Sequence, residues 1–199
     1  MFAAALFSFV FAASALAHPS LVARQSLCKQ LGAGADDTLS YNFTLAAGSP
    51  SSPIDDPTTG SPMVMAIGGA GTSGQASTWV ITAAPTANNT DWPNFSLVNG
   101  ALVPNAGSTQ KGLAAYDMSV NPGDEVQFMV TTANSGETSE LIYCSVSDAS
   151  GNAVLAVNGD ANSFFECNDG SRDVLVYKAS SSSTQYHNCG AVNVILRHA

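Results

Sequence analysis

The chain has 199 residues and carries 6 Lys plus Arg against 15 Asp plus Glu, a formal charge of −9. A field of that sign repels phosphate backbones and anionic lipid surfaces, so neither nucleic acid nor a membrane is an expected partner. No apolar run reaches the roughly 20 residues that a membrane-crossing helix needs.

In chain order, residues 1–17 come first. Phe2 to Ser14 is apolar and uncharged, and Ala15-Leu16-Ala17 has the small-x-small form of a signal-peptide cleavage site. The segment has no Lys or Arg, so its positive end is the amino terminus alone. It predicts a secreted protein in an oxidising compartment. Residues 18–27 read as a short stub that is open to trimming after Arg24, and residues 28–199 read as a single domain. The last residues, Asn193 to Ala199, lack the long apolar tail of a lipid-anchor signal.

From Tyr41 onward short apolar or alternating runs recur between turn-formers, and no segment sustains a period of 3.6 residues. That pattern predicts an all-β domain. The expected strands are Asn42 to Ala46, Pro62 to Ile67, Thr78 to Thr82, Asn94 to Val98, Gly112 to Met118, Glu125 to Thr131, Glu140 to Val146, Ala153 to Val157, Ser163 to Cys167, Asp173 to Ala179 and Ala191 to Leu196. Gly68-Gly69, Asn99-Gly100, Pro122-Gly123, Gly151-Asn152, Asn158-Gly159 and Asp169-Gly170 punctuate them. Ser49 to Ser61, with three prolines, and the run Ser180 to Thr184 read as loops, the second open to O-linked sugar.

Three groups of elements recur about every 50 residues, which is the length of a four-strand unit. Phe43-Thr-Leu45, Phe95-Ser-Leu97 and Cys144-Ser-Val146 open the units, and Trp79-Val-Ile81, Val126-Gln-Phe-Met129 and Val174-Leu-Val-Tyr177 close them. The recurrence points to a β-trefoil-like barrel, with a two-sheet β-sandwich as the alternative. Trp79, Phe128, Phe164, Phe165 and Tyr177 read as core.

Four cysteines in an exported chain predict two disulfides, and three pairings are open. Cys28–Cys189 would tie the domain's ends and Cys144–Cys167 would close a local loop, so this pairing is the favoured one. Three acceptor sequons, at Asn42, Asn88 and Asn94, predict N-linked glycan. The cysteine spacing is not that of a zinc site, and the acidic pairs Asp36-Asp37, Asp55-Asp56 and Asp124-Glu125 lack the spacing of a calcium loop.

Catalytic chemistry has few anchors. No Gly-x-Ser-x-Gly elbow surrounds a serine, and all four cysteines are better used in disulfides. Glu166, beside Phe165 and Cys167, is the acid in the most apolar setting, but strand alternation is expected to turn it outward. Cleavage after Ala17 would expose His18, which with His187 resembles the copper-binding pair of secreted polysaccharide monooxygenases; no neighbouring residues support that reading. No cofactor or metal is assigned.

Asn94-Phe-Ser-Leu-Val-Asn-Gly-Ala-Leu102, Ala153-Val-Leu-Ala-Val-Asn-Gly159, Ser163-Phe-Phe-Glu-Cys167, Val174-Leu-Val-Tyr-Lys178 and Cys189 resemble the fungal phialide-type cell-wall proteins, a secreted family that includes IgE-binding, allergen-type members. The resemblance covers the last half of the chain. It implies a non-catalytic glycoprotein of the wall, whose partner is cell-wall polysaccharide or a glycoprotein matrix. A lectin-like carbohydrate-binding module is the alternative, with Trp92, Tyr116 and Tyr186 as candidate sugar platforms. A protease inhibitor displaying Ser49 to Ser61 is a third reading.

Overall fold

A computed structural model describes residues 27–68, 76–84 and 91–199. The leader, His18 and nearly all of the stub, and the sequon at Asn88 lie outside the described residues.

Thirteen strands are present among the described residues: β1 (Ala35–Asp36), β2 (Phe43–Gly48), β3 (Ser61–Ile67), β4 (Ser77–Ala83), β5 (Asn94–Val98), β6 (Ala101–Asn105), β7 (Leu113–Asp117), β8 (Gln127–Thr132), β9 (Tyr143–Ser147), β10 (Ala153–Val157), β11 (Phe164–Asn168), β12 (Asp173–Tyr177) and β13 (His187–His198). Every expected strand has a counterpart, and β5 and β10 have the expected bounds. Two were missed. β1 has two residues, too few to show alternation, and β6 contains Pro104, which lacks the N–H that an interior strand needs. β6 lies at the end of the sheet, where proline is tolerated.

The domain is all-β, and six of its strands close into a barrel in the order β13-β11-β12-β4-β3-β2, with the β13–β2 pairing completing the ring. Closure removes the exposed edges that an open sheet would present. The barrel takes β2–β4 from the start of the domain and β11–β13 from its end. The middle of the chain supplies the hairpins β5–β6, β7–β8 and β9–β10, which extend the sheet from the barrel's rim. This differs from the trefoil expectation, in which each of three units contributes two barrel strands. The evenly spaced turns do make hairpins. Which of them enter the barrel is decided by long-range pairing, above all by β13. That strand pairs with β11 over its first half and with β2 over its second, where β10 also joins it.

Alternation places the core. Phe43, Leu45, Met65, Ile81, Phe128, Phe164, Leu175 and Val194 are buried in one continuous apolar cluster, each side chain stabilising the fold by about 1.5–3 kcal/mol. Of the expected core aromatics, Trp79, Phe128, Phe164 and Tyr177 are buried, but Phe165 is half-buried on the outer face. Two turns take the form their sequences predict. Asn99-Gly100 and Asn158-Gly159 each place both residues at positive φ, the geometry of a tight hairpin turn.

The disulfides correct the favoured pairing: Cys28 joins Cys144, and Cys167 joins Cys189. β11 and β13 are neighbours, and the register shift between Glu166↔Gly190 and Asn168↔His187 sets Cys167 against Cys189. Cys144, on β9, then meets Cys28, which lies in a single helical turn ahead of β1. Both of these sulfurs belong to a small buried cluster with Ala156 and Ala161.

Candidate functional site

A second apolar cluster lies outside the barrel wall. Val80 of β4, Cys167 of β11 and Val174 and Val176 of β12 point outward and are covered by Tyr186, from the loop before β13. Tyr186 therefore packs a loop onto the barrel exterior, and the Cys167–Cys189 bridge fastens that loop close by.

Beside this cover is a polar groove of about 400 Å³, lined by Gly68, Thr78, Val80, Glu125, Gln127, Asp169, Ser171, Arg172 and Gln185. Its floor comes from β4 and β8. Thr78 and Gln127 lie on the outward faces because their neighbours Trp79 and Phe128, paired across β4 and β8, fill the core. Glu125 is fixed by its backbone: it bridges Val176 of β12, while Val126 N–H donates to the Leu175 carbonyl. Gly68 directly follows β3, and a side chain there would put its Cβ 2.9 Å from the Thr78 carbonyl oxygen.

The β11–β12 turn makes the opposite wall. Asp169 accepts the backbone N–H groups of Ser171 and Arg172 and the Ser171 hydroxyl. Arg172 returns its Nε to Asp169 at 3.3 Å and donates Nη1 to the Ile67 carbonyl at 2.6 Å. Partial burial works to raise the Asp169 carboxyl, and these hydrogen bonds outweigh it, leaving the group below the ordinary carboxylate range. Across the groove, Glu125 accepts from Gln127 Nε2 and from the Tyr186 hydroxyl, each at 3.3 Å. Burial, followed by the Glu125 charge, raises the Tyr186 phenol, so it stays protonated and acts as a donor. The groove thus presents an ionised carboxylate, a guanidinium, amides and hydroxyls, oriented by bonds within the chain.

The three aromatics expected to form a sugar platform do not converge. Trp92 is a core residue, 2 % exposed and packed edge-on against Trp79 at 6.2 Å. Tyr186 is buried under its loop and borders the groove through Glu125. Tyr116, half-buried on β7, donates to the Ala133 carbonyl and lines a different cavity with Asp117, Glu137 and Glu140. None of the groove's lining residues was a candidate binding residue in the sequence: Glu125 was read only within an acidic pair, and Gly68 and Asp169 only as turn positions. Outward strand parity of Thr78 and Gln127 was the available signal.

Other candidate positions have structural settings. His187 opens β13 and is exposed, whereas His198, at the other end of the strand, pairs with Phe43 and stacks on Tyr41 at 3.7 Å. Glu166 pairs with the core residue Leu175 and so shares its inward parity, correcting the expected outward one; burial, then Asp173, raises its carboxyl. Asn42 is exposed and accepts the Ser96 hydroxyl, and the half-buried Asn94 accepts from Asn105. The loop Ser49 to Ser61 is held by Arg197, which donates to the Asp56 and Thr59 carbonyls. Among the described residues, no group of three or more His, Cys, Asp or Glu side chains is placed to hold a metal ion. No helix among them is long and apolar enough to cross a membrane.

Asp117 is the one buried carboxyl among the described residues. It is 2 % exposed, accepts the Leu102 N–H at 3.1 Å, and burial pushes it up to about 7. The buried Tyr143 phenol is raised by its own burial and then by Asp117.

A comparison of the chain with known proteins finds no matching family model, curated sequence or solved structure.

Proposed function

We propose that the protein is a secreted fungal glycoprotein of the cell wall or extracellular matrix, and that it acts by contact with polysaccharide through the groove between β4, β8 and the β11–β12 turn. The single observation that carries this reading is the groove's lining. Neutral sugars are recognised through many hydroxyls, each donating and accepting, and the groove offers fixed groups of both kinds. Asp169 is held ionised, which suits it to accept from hydroxyls rather than to give up a proton. The apolar leader, the exposed sequon at Asn42, the two disulfides and the family resemblance support export to a wall.

The test is co-sedimentation of the purified protein with insoluble wall glucan and chitin, with soluble oligosaccharide as competitor. The account expects saturable, competed retention that weakens about tenfold, the equivalent of about 1.4 kcal/mol, in a Gln127→Ala, Gln185→Ala double variant. Retention equal to that of an unrelated acidic protein would remove the reading.

A further inference from the structure

A second cavity, about 300 Å³, is lined by Phe165, Ala179, Ser180, Ser181, Tyr186, Asn188 and Cys189, and its Tyr186 follows Gln185 of the groove in the chain. We propose that the two cavities are consecutive subsites of one cleft, and that the ligand is a glycan chain running past Tyr186 rather than a single sugar. This rests on the polysaccharide reading of the groove and extends it.

Tyr186 belongs to both sides. Its ring lines the second cavity, and its hydroxyl is bonded to Glu125, which lines the first. Tyr186 thus links the two linings, and each space alone, about 400 and 300 Å³, sits at the low end of ligand-cavity volumes. Their linings are complementary in chemistry. The groove is mostly polar, whereas the second cavity has two aromatic rings, Phe165 and Tyr186, with hydroxyls and an amide around them.

Phe165 is the residue that does not fit the core expectation. It pairs with Val176 and Ala191 on the outer face of β11 and remains half-buried beside the Tyr186 cluster. A pyranose presents C–H groups on one face and hydroxyls at its edge. A half-exposed ring bordered by Ser180, Ser181 and Asn188 matches both, and the part of the ring that the outer cluster leaves open is the part a sugar would stack on. The loop that carries these hydroxyls is ordered by its own bonds, with Ser182 N–H donating to Ser180 Oγ and Gln185 N–H to Ser183 Oγ. Its end is fastened by Cys167–Cys189. The subsite is thus preformed rather than assembled on binding.

Isothermal titration with laminarin and chitin oligosaccharides, from disaccharide to hexasaccharide, tests the proposal. Affinity should climb about tenfold once the oligomer is long enough to reach both cavities. Phe165→Ala should abolish that gain, so that the hexasaccharide binds no more tightly than the disaccharide. Phe165→Leu, which keeps the apolar packing and removes the flat face, should do the same in a variant whose fold is retained. Gln127→Ala should weaken every length alike. Affinity that is independent of length, or Phe165 variants that weaken all lengths equally, would overturn the two-subsite cleft and leave the groove reading standing. Absence of binding to every oligomer would overturn both.

Discussion

The Tyr186 hydroxyl donates to Glu125 Oε1 at 3.3 Å, linking the loop before β13 to the segment that leads into β8. The ring of the same residue covers Val80, Val174 and Val176. One side chain therefore carries two separable interactions, apolar cover for the barrel exterior and orientation of a groove carboxylate.

Removing them one at a time should give different results. Tyr186→Phe keeps the cover and loses a partly exposed hydrogen bond, so urea denaturation should show a loss of about 1 kcal/mol or less. Tyr186→Ala uncovers the cluster and should cost about 3 kcal/mol. Equal losses in the two variants would mean that the ring contributes nothing to the packing.

Asp117 makes stability depend on pH in an unusual direction. Its folded carboxyl titrates at about 7, whereas in the unfolded chain it titrates near 4. Between those values the folded state binds the extra proton, so unfolding free energy falls as pH rises. The stabilisation is fully present below about pH 4 and is lost as pH passes through about 7, a change on the order of 4 kcal/mol. Asp117→Asn should flatten this part of the profile and make the variant the more stable protein at pH 8. Denaturation midpoints across pH 4 to 8 check the sign, and a wild-type profile that rises over this window would contradict it.

The disulfides should differ in weight. Cys28–Cys144 spans 116 residues and Cys167–Cys189 spans 22. In the chain-entropy account a loop of about 100 residues contributes about 4.7 kcal/mol and a loop of about 15 residues about 3 kcal/mol. Peptide mapping without reduction should recover these two pairs. A Cys28→Ser, Cys144→Ser variant should melt below a Cys167→Ser, Cys189→Ser variant. The second pair's contribution should appear instead in hydrogen exchange of the loop carrying Tyr186.

Much of the secondary structure was legible because the strands are short, alternating and bounded by Gly, Asn and Pro. Asn99-Gly100 could be read as a tight turn from two residues, since both must adopt positive φ. The closure was not legible. Whether β13 pairs with β2 depends on residues about 150 positions apart, as in Ile195 and Ala46, and no local pattern encodes that. The disulfide error has the same origin. Nearness in sequence favoured Cys144 with Cys167, but β13 brings Cys189 beside Cys167. Trp92 illustrates the corresponding limit at the site, because an isolated Trp-Pro in a polar stretch gives no sign that its ring packs against Trp79. The groove was hidden for another reason. Thr78, Gln127 and Arg172 are ordinary exposed-strand and turn residues, and only the barrel gathers them.

The most direct measurement is the co-sedimentation isotherm of the purified protein on insoluble wall polysaccharide, run beside the Gln127→Ala, Gln185→Ala variant. The account predicts saturable binding that soluble oligosaccharide competes away and a variant about tenfold weaker with an unchanged melting temperature. Wild type and variant curves that coincide, or a wild type that is not retained, would contradict it.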